Sequence, residues 1–448
     1  MLYRLKSSRS KFAIARLRAT AASVAATVAA ASALSMAVLV STPAKAEVTY
    51  DQILAAPDDL ELNLTYARQQ VASGRLQQAA AALERLLLQR PNWDSVRLFY
   101  GIVLYRLDDM AGAKRELEIL EGRDLDPAQE ADRLRYLARA THKSKSVRAS
   151  SRITVGGRYD SNPGRVSDAV AATTGADDDG DFAFVARSRF RLEADLKNGR
   201  RDYFFLQTNG HLREFFDIDR ADLINGRARA GVKFHHENGS ITPYGSFSSL
   251  YLQHEKLRHG YGGGVDASWT LNSQVSLMLK AHGIYQDYDT TSYSTIGDMR
   301  DGWKYGGGFR FRWRPSDSVT VYAGAEFNRK EAKSDGFSYD SAKVSASMQK
   351  LLGMGRYVTL AGSFTRQEYD QPDMFYSNTI TRDDDIVRLR AATGAPLSTL
   401  FTDVELPPHI GDIVAQIGGT YHMQESSINR LDIDNFSVDV TFTKRINF

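Results

Sequence analysis

The residues of this chain that could do chemistry together are alternating arginines. Arg187, Arg189 and Arg191 recur at every second position and run on into Glu193 and Asp195, and Arg310, Arg312 and Arg314 repeat the pattern. In an extended strand that spacing puts every charge on one face. Such a face cannot sit in a dry core, because unpaired buried charges cost too much. It suits a water-filled or loop-plugged lumen, and an anionic polymer passing through would suit these arginines about equally well. Patterns for catalysis or metal binding are weak. His235 and His236 are adjacent, so in a strand they point to opposite faces and make a poor metal pair beside Glu237; His254 and His259 flank an outer loop. Asp177-Asp178-Asp179 and Asp383-Asp384-Asp385 read as solvated acidic loops rather than cation sites. No Gly-x-Ser-x-Gly nucleophile elbow occurs. With no cysteine in 448 residues, disulfides, thiolate metal sites and a cysteine nucleophile are excluded. The expectation is a protein without enzymatic activity, cofactor or metal.

Elements that position such charges must have period two. A net charge of +3 gives no reason to expect a nucleic-acid partner. A mean hydropathy of −0.37 excludes a helical membrane protein. A transmembrane β-barrel can average out as hydrophilic, since every second strand residue faces a polar lumen. Fourteen candidate strands follow Ser151: 151–160, 182–196, 202–215, 222–237, 240–254, 258–271, 273–288, 301–314, 318–331, 336–351, 356–369, 381–394, 410–425 and 433–448. The last is the cleanest. Phe436, Val438, Val440, Phe442, Ile446 and Phe448 share one face, and Asn435, Ser437, Asp439, Thr441, Thr443, Arg445 and Asn447 the other. Lys444 alone breaks the apolar face, and its stem can snorkel to an interface. Such a strand, with an aromatic at its end, suits the closing strand of an outer-membrane barrel, where Trp269, Trp303 and Trp313 would serve interfacial girdles. Alternate connections are long and polar (161–181, 289–300, 370–380), and those between them are tight turns, the asymmetry of outer loops and periplasmic turns. The connection at 395–409 breaks this rule: either the strand count is off there, or a periplasmic element touches the repeats or the substrate.

Before the strands come two other regions. Residues 1–46 have a basic start, an Ala-rich apolar run and a small-residue cleavage motif at Ala44 and Ala46, as in a secretory signal peptide. Residues 47–145 have helical period and a 34-residue recurrence: Tyr66-Ala67 returns as Tyr100-Gly101, Ala79 as Ala113, Leu83 as Leu117 and Leu86 as Leu120. That spacing resembles tetratricopeptide repeats, with a third helix near Pro127–Thr141 as the cap such arrays need. Tyr66, Gln70, Arg97, Tyr100 and Leu104 fall on helix positions that face a binding groove, and Lys143, Lys145 and Arg148 mark a basic linker. The expected architecture is an all-β transmembrane barrel of about 14 antiparallel strands (residues 150–448) after a small all-α repeat domain in the periplasm.

Two motifs flank this barrel. One is Val155-Gly156-Gly157-Arg158-Tyr159-Asp160-Ser161-Asn162. The other runs Ser426-Ser427-Ile428-Asn429 to Asn435 before the last strand. With Arg382-Asp383-Asp384-Asp385, they resemble the surface lipoprotein assembly modulator (Slam) family over about 150–448, and loosely over the repeats, which are fewer than family members usually carry. The resemblance implies a translocon that moves lipoprotein or related secreted clients from the periplasm to the cell surface. It implies lipid around the barrel and the barrel assembly machinery during biogenesis. It marks Asp160, Ser161 and Asn162 with Ser427, Ile428 and Asn429 as loop motifs flanking the outer end of a seam between the first and last strands. An exopolysaccharide export porin, or another channel that joins repeats to a barrel, remains the alternative.

Overall fold

The computed structural model describes residues 48–448 apart from 168, 171–178, 199, 293–294, 373–374 and 405. The expected leader with Ala44 and Ala46, and Asp177 and Asp178 of the acidic loop, lie outside the described residues.

Helices come first: α1 (Tyr50–Ala55), α2 (Leu60–Ala72), α3 (Leu76–Gln89), α4 (Asp94–Arg106), α5 (Met110–Glu118) and α6 (Pro127–Ser144). Two compact units divide within α2, the second beginning at Gln70. In the first, Thr49 and Gln52 form a capping box on α1, and the buried Asn63 amide donates to the Pro57 and Asp59 carbonyls at 3.1 and 2.8 Å. In the second, Ala79, Ala82, Leu83, Leu86 and Leu87 form one buried stripe on α3, the spacing of a helix face turned to a core. Asp109 and Asp126 cap α5 and α6, with Pro127 in the first turn, where its missing N–H costs nothing. Leu98, Leu117 and Leu120 pack with Ile102, Leu125, Tyr136 and Leu137. Leu134, by contrast, is exposed. Gly101 lets α4 and α5 close up: a Cβ there would stand 2.9 Å from Leu117 Cδ2. On α6 the Arg133 side chain, hydrogen-bonded to Glu130, holds the Glu130 carboxyl below its usual range.

No separate basic linker follows. Lys143 belongs to α6, and Arg148 already lies in the first strand, because a two-residue junction is enough to turn the helix into the barrel. Fourteen strands then close on themselves, each antiparallel to its sequence neighbours and the last pairing with the first. They are β1 (Val147–Asp160), β2 (Asp181–Asp195), β3 (Tyr203–Phe215), β4 (Leu223–His236), β5 (Gly239–Leu252), β6 (Glu255–Thr270), β7 (Val275–Tyr288), β8 (Gly302–Ser316), β9 (Val319–Ala332), β10 (Tyr339–Gly353), β11 (Arg356–Pro372), β12 (Thr381–Pro396), β13 (Val414–Ser426) and β14 (Ile433–Asn447). The shortest has 13 residues and the longest 17, more than the about 9–11 needed to cross a bilayer with tilt. Among the described residues no helix is long and apolar enough to cross a membrane; the strands do the crossing. A closed ladder leaves no unpaired backbone edge to lipid.

Alternation along each strand sorts the side chains. Trp303, Tyr305, Phe309 and Phe311 of β8 point outward and are 41–50% exposed. Lys304, Arg310 and Arg312 take the opposite, inner face. The inner wall is not uniformly polar: Ala183 and Phe215 cluster with Ile218 and Ala221 of the β3–β4 connection, and Val185 on β2 and Phe205 toward the other end of β3 are also buried.

The 395–409 connection is a real element, and the strand count stands. It holds α7 (Leu397–Leu400) and α8 (Pro408–Gly411). It rests on the β10–β11 turn through a Thr399 Oγ1–Met354 carbonyl bond of 2.8 Å. It also reaches β14, where Lys444 pairs with Asp412 and donates to the His409 carbonyl. Lys444 is thus tied down by a carboxylate as well as placed near an interface. The α4–α5 turn and α6 meet the same, short-turn end of the barrel: Arg201 of the β2–β3 turn and Lys143 of α6 both pair with Asp108. These are exposed pairs that place the helices but stabilise little.

Candidate functional site

The seam between β1 and β14 is where the flanking motifs meet. Its register runs from Ser150↔Asn447 to Asp160↔Ser437. On β14, Phe436, Val440, Phe442 and the terminal Phe448 are exposed on the outer surface, with Val438 half-buried among them. Ser437, Asp439 and Thr441 face inward and are each 1% exposed. One residue of slip would turn the phenylalanines into the lumen and the aspartate into lipid, so the pattern itself pins the register. Midway along the seam the Thr154 and Thr443 hydroxyls meet at 2.8 Å.

The outer end of the seam is held by a polar clasp centred on Asn435. Its amide nitrogen donates to Asp160 Oδ1 at 2.9 Å. Its amide oxygen accepts from Ser161 Oγ at 3.2 Å and from the Asn162 backbone N–H at 3.1 Å. Ser161 and Phe436 exchange a further pair: Phe436 N donates to Ser161 Oγ, and Ser161 N to the Phe436 carbonyl, each at 2.8 Å. Asp160 is fully buried and also takes two bonds from Arg158, at 2.6 and 2.7 Å. The Asn162 side chain braces the start of the first outer loop, exchanging bonds with Val166 at 2.7 and 2.9 Å and reaching the Asp434 carbonyl at 3.3 Å. Ser167 adds a bond to the Arg430 carbonyl. Buried polar groups this well satisfied specify one arrangement, and losing one partner strands the others.

The second motif divides. Ser427 bonds to β12 rather than β1: its hydroxyl donates to the Thr381 carbonyl at 2.8 Å and accepts from the Asp383 N–H at 2.9 Å. Ile428 is buried at 6% exposure, and Asn429 opens a short 3-10 turn, Asn429–Leu431. Asn435, the centre of the clasp, was not singled out as a site residue from the sequence. Its signal was there: an amide that both donates and accepts, on the inward face of the last strand, across from Asp160.

The arginines read as lumenal from the sequence make the following contacts. Arg191 bonds to Glu193 Oε1 at 2.6 Å and Gln207 Oε1 at 2.9 Å, and stacks over Phe205. Arg148 reaches the same Glu193 at 3.0 Å. Arg189 bonds to Asn209 and Arg312 to Ser276. Arg187 pairs across the sheet with His211, while Arg310 and Arg314 are exposed. Elsewhere on the inner wall Arg229 pairs with Asp266, and Lys280 with Glu326.

The helix positions expected to face a groove are corrected by burial. Tyr66, Gln70 and Leu104 are only 6%, 3% and 7% exposed. Tyr66 packs near Tyr50. Leu104 is covered by Ala113 and by Ala140 of α6. Arg97 is taken up by Glu116 at 2.6 Å and the Pro91 carbonyl at 2.6 Å. Tyr100 packs against the Leu104 cluster, and burial pushes its hydroxyl pKa up. Around Leu104 and Tyr100 the capping helix α6 closes over surface that a longer array would leave free.

A family model described as surface lipoprotein assembly modifier matches residues 187–393, from β2 to β12. The match bears out the resemblance read from the sequence, although the seam motifs lie outside it. Among solved structures, the chain is similar to OprD from Pseudomonas aeruginosa at 8% identity, covering 68% of this chain and 94% of that one, TM-score 0.33. It is similar to a Pseudomonas aeruginosa FadL homologue at 12% identity, covering 69% and 91%, TM-score 0.35. A bacterial polysaccharide outer membrane secretin matches at 12% identity, covering 67% and 98%, TM-score 0.33. No curated protein matches. The chain is an outer-membrane β-barrel protein. The matched model, described as one of surface lipoprotein assembly, lies wholly within the barrel, from β2 to β12.

Proposed function

We propose that this barrel, with its surface lipoprotein assembly modifier match across β2–β12, is the outer-membrane conduit by which client proteins pass from the periplasm to the cell surface. The clients are surface lipoproteins or related secreted proteins. The observation that carries the reading is the family match on a closed barrel with a charged inner wall. Helices at the short-turn end, where Asp108 meets Arg201, are placed to receive a client before it enters. Lipid surrounds the barrel, and the barrel assembly machinery inserts it. The seam is the route by which an acylated client leaves sideways, its lipid anchor entering the outer leaflet while its polypeptide crosses the lumen. Lumenal arginines such as Arg187 and Arg312 favour a second reading, export of an anionic polysaccharide.

The test is surface exposure of a client lipoprotein in a heterologous Gram-negative host. Intact cells are shaved with protease, with and without this chain. Exposure that depends on the chain supports the conduit, and deletion of residues 47–145 should then reduce it. Continued protection beside a folded, inserted barrel turns the assignment toward polysaccharide. The native chain has no cysteine, so a T154C/T443C pair gives a clean lock on the seam. Export should stop on oxidation and return on reduction; full export through a quantitatively crosslinked seam would overturn the lateral route.

A further inference from the structure

Level with the clasp and just below it, the inner face of β12, β13, β14, β1, β2 and β3 carries arginines beyond those its carboxylates pair. Strand register sets this out. Arg388 of β12 pairs with His422 of β13, which pairs with Asn435 of β14; two residues along β12, Arg390 opposes Thr420. Arg158 of β1 opposes Asp439 of β14, and Arg213 of β3 opposes Val185 of β2. The carboxylates nearby are already engaged. Arg390 takes Asp439 at 2.5 and 2.9 Å, and Arg158 takes Asp160. Arg382 takes Asp384 at 2.7 Å. Asp181 accepts the Asp217 and Ile218 N–H groups, and Asp222 the Phe215 N–H.

Arg165 of the first outer loop, Arg388 and Arg213 form no ion pair among the described residues: Asp160, within electrostatic reach of Arg165 and Arg213, is already bonded to Arg158 and Asn435, and Asp222, within reach of Arg213, accepts the Phe215 N–H. Each lies within electrostatic reach of at least one of the others. Arg213 Nε is buried and has no hydrogen-bond partner among the described residues. His422 is within the same reach of Arg388 and Arg165. It is only 9% exposed, and neither ring nitrogen has a partner among the described residues. A neutral imidazole always carries one N–H donor, so this wall holds an unmet donor beside guanidinium groups that cannot shed their protons. Arg165 and Arg388 are exposed and Arg213 is half-buried, so their guanidinium forks are open to an entering group, and such forks match the paired oxygens of carboxylate and phosphate.

We propose that Arg165, Arg213, Arg388 and His422 form an oxyanion-binding site in the lumen, behind the seam, that takes a carboxylate or phosphate group. The site stands on its own geometry: loss of client export would leave it intact, and loss of anion binding would leave the conduit reading intact.

Calorimetric titration of the purified full-length barrel in detergent, at low salt, tests it with two probes, inorganic phosphate and a glutamate hexapeptide. Saturable binding of either is expected. Phosphate alone points to a phosphorylated source, and the peptide alone to an acidic polypeptide. Arg388→Gln and Arg165→Gln should each weaken binding at least tenfold, while Arg135→Gln on the exposed face of α6 leaves it unchanged. Heat-modifiable migration in gels shows that each variant has folded, and His422→Asn, which adds no charge, is the milder second probe of the pocket. Binding of neither probe, or equal binding by folded Arg388→Gln and Arg165→Gln, overturns the proposal.

Discussion

The helices and the barrel bury opposite kinds of residue. In the helices the inaccessible side chains are Leu83, Leu86, Leu117 and Leu120, at 0–1% exposure. In the barrel they include Asp160, Asp384, Ser437, Asp439 and Thr441, at 0–1%, while Phe182, Phe327 and Phe436 stand 50–59% exposed. Both regions obey one rule, that apolar surface leaves water. What differs is where water lies. Around the helices it is outside, so the interior is apolar and close-packed. Around the barrel the outside is hydrocarbon, so the greasy face turns outward and polar groups satisfy one another within.

The comparison predicts where each region is fragile. Leu117→Ala removes the side chain on which Leu98, Leu120 and Gly101 converge, and should cost the helices about 2–5 kcal/mol. The helical circular dichroism signal should melt earlier while the barrel keeps its heat-modifiable migration; loss of both together would mean the regions fold as one. Phe442→Arg puts a cation on the outward face of β14 and should cost the barrel about 2–4 kcal/mol if it lies near the bilayer midplane. Denaturant titration in lipid vesicles measures this, and an unchanged midpoint would place Phe442 outside hydrocarbon. Asn435→Ala breaks the clasp and should cost about 1–3 kcal/mol by leaving Asp160 and Ser161 short of partners. Its readout is faster hydrogen exchange at the outer end of β1 and β14. Uniform exchange along the seam would show that the ladder, not the clasp, closes it.

Much of this was legible in the chain. Strand number, strand boundaries to within a few residues, and the faces of β2, β8 and β14 follow from period-two alternation, because a strand offers only two faces. The 34-residue recurrence located the helices for a similar reason: a small residue at Gly101 has to meet a leucine at a set spacing. The site was legible only in part. Asp160, Ser161 and Asn162 were visible as a motif, but Asn435 gains its role from closure, which brings together residues 275 positions apart. Ser427 looked like a seam residue and instead ties down β12, since sequence nearness does not say which neighbouring strand a loop will touch. The groove assignment for Tyr66, Gln70 and Leu104 failed because burial depends on how many repeats stack and what caps them.

The sequence by itself determined that this protein is a barrel with helices before it, and which side of each strand meets lipid, since local periodicity against two solvents leaves no other arrangement. Only the tertiary structure decided which charges meet. Pairing Arg390 with Asp439 and Asn435 with Asp160, and leaving Arg388 beside an unmet His422, depends on register across strands far apart in the chain, and electrostatics acts through space rather than along the backbone.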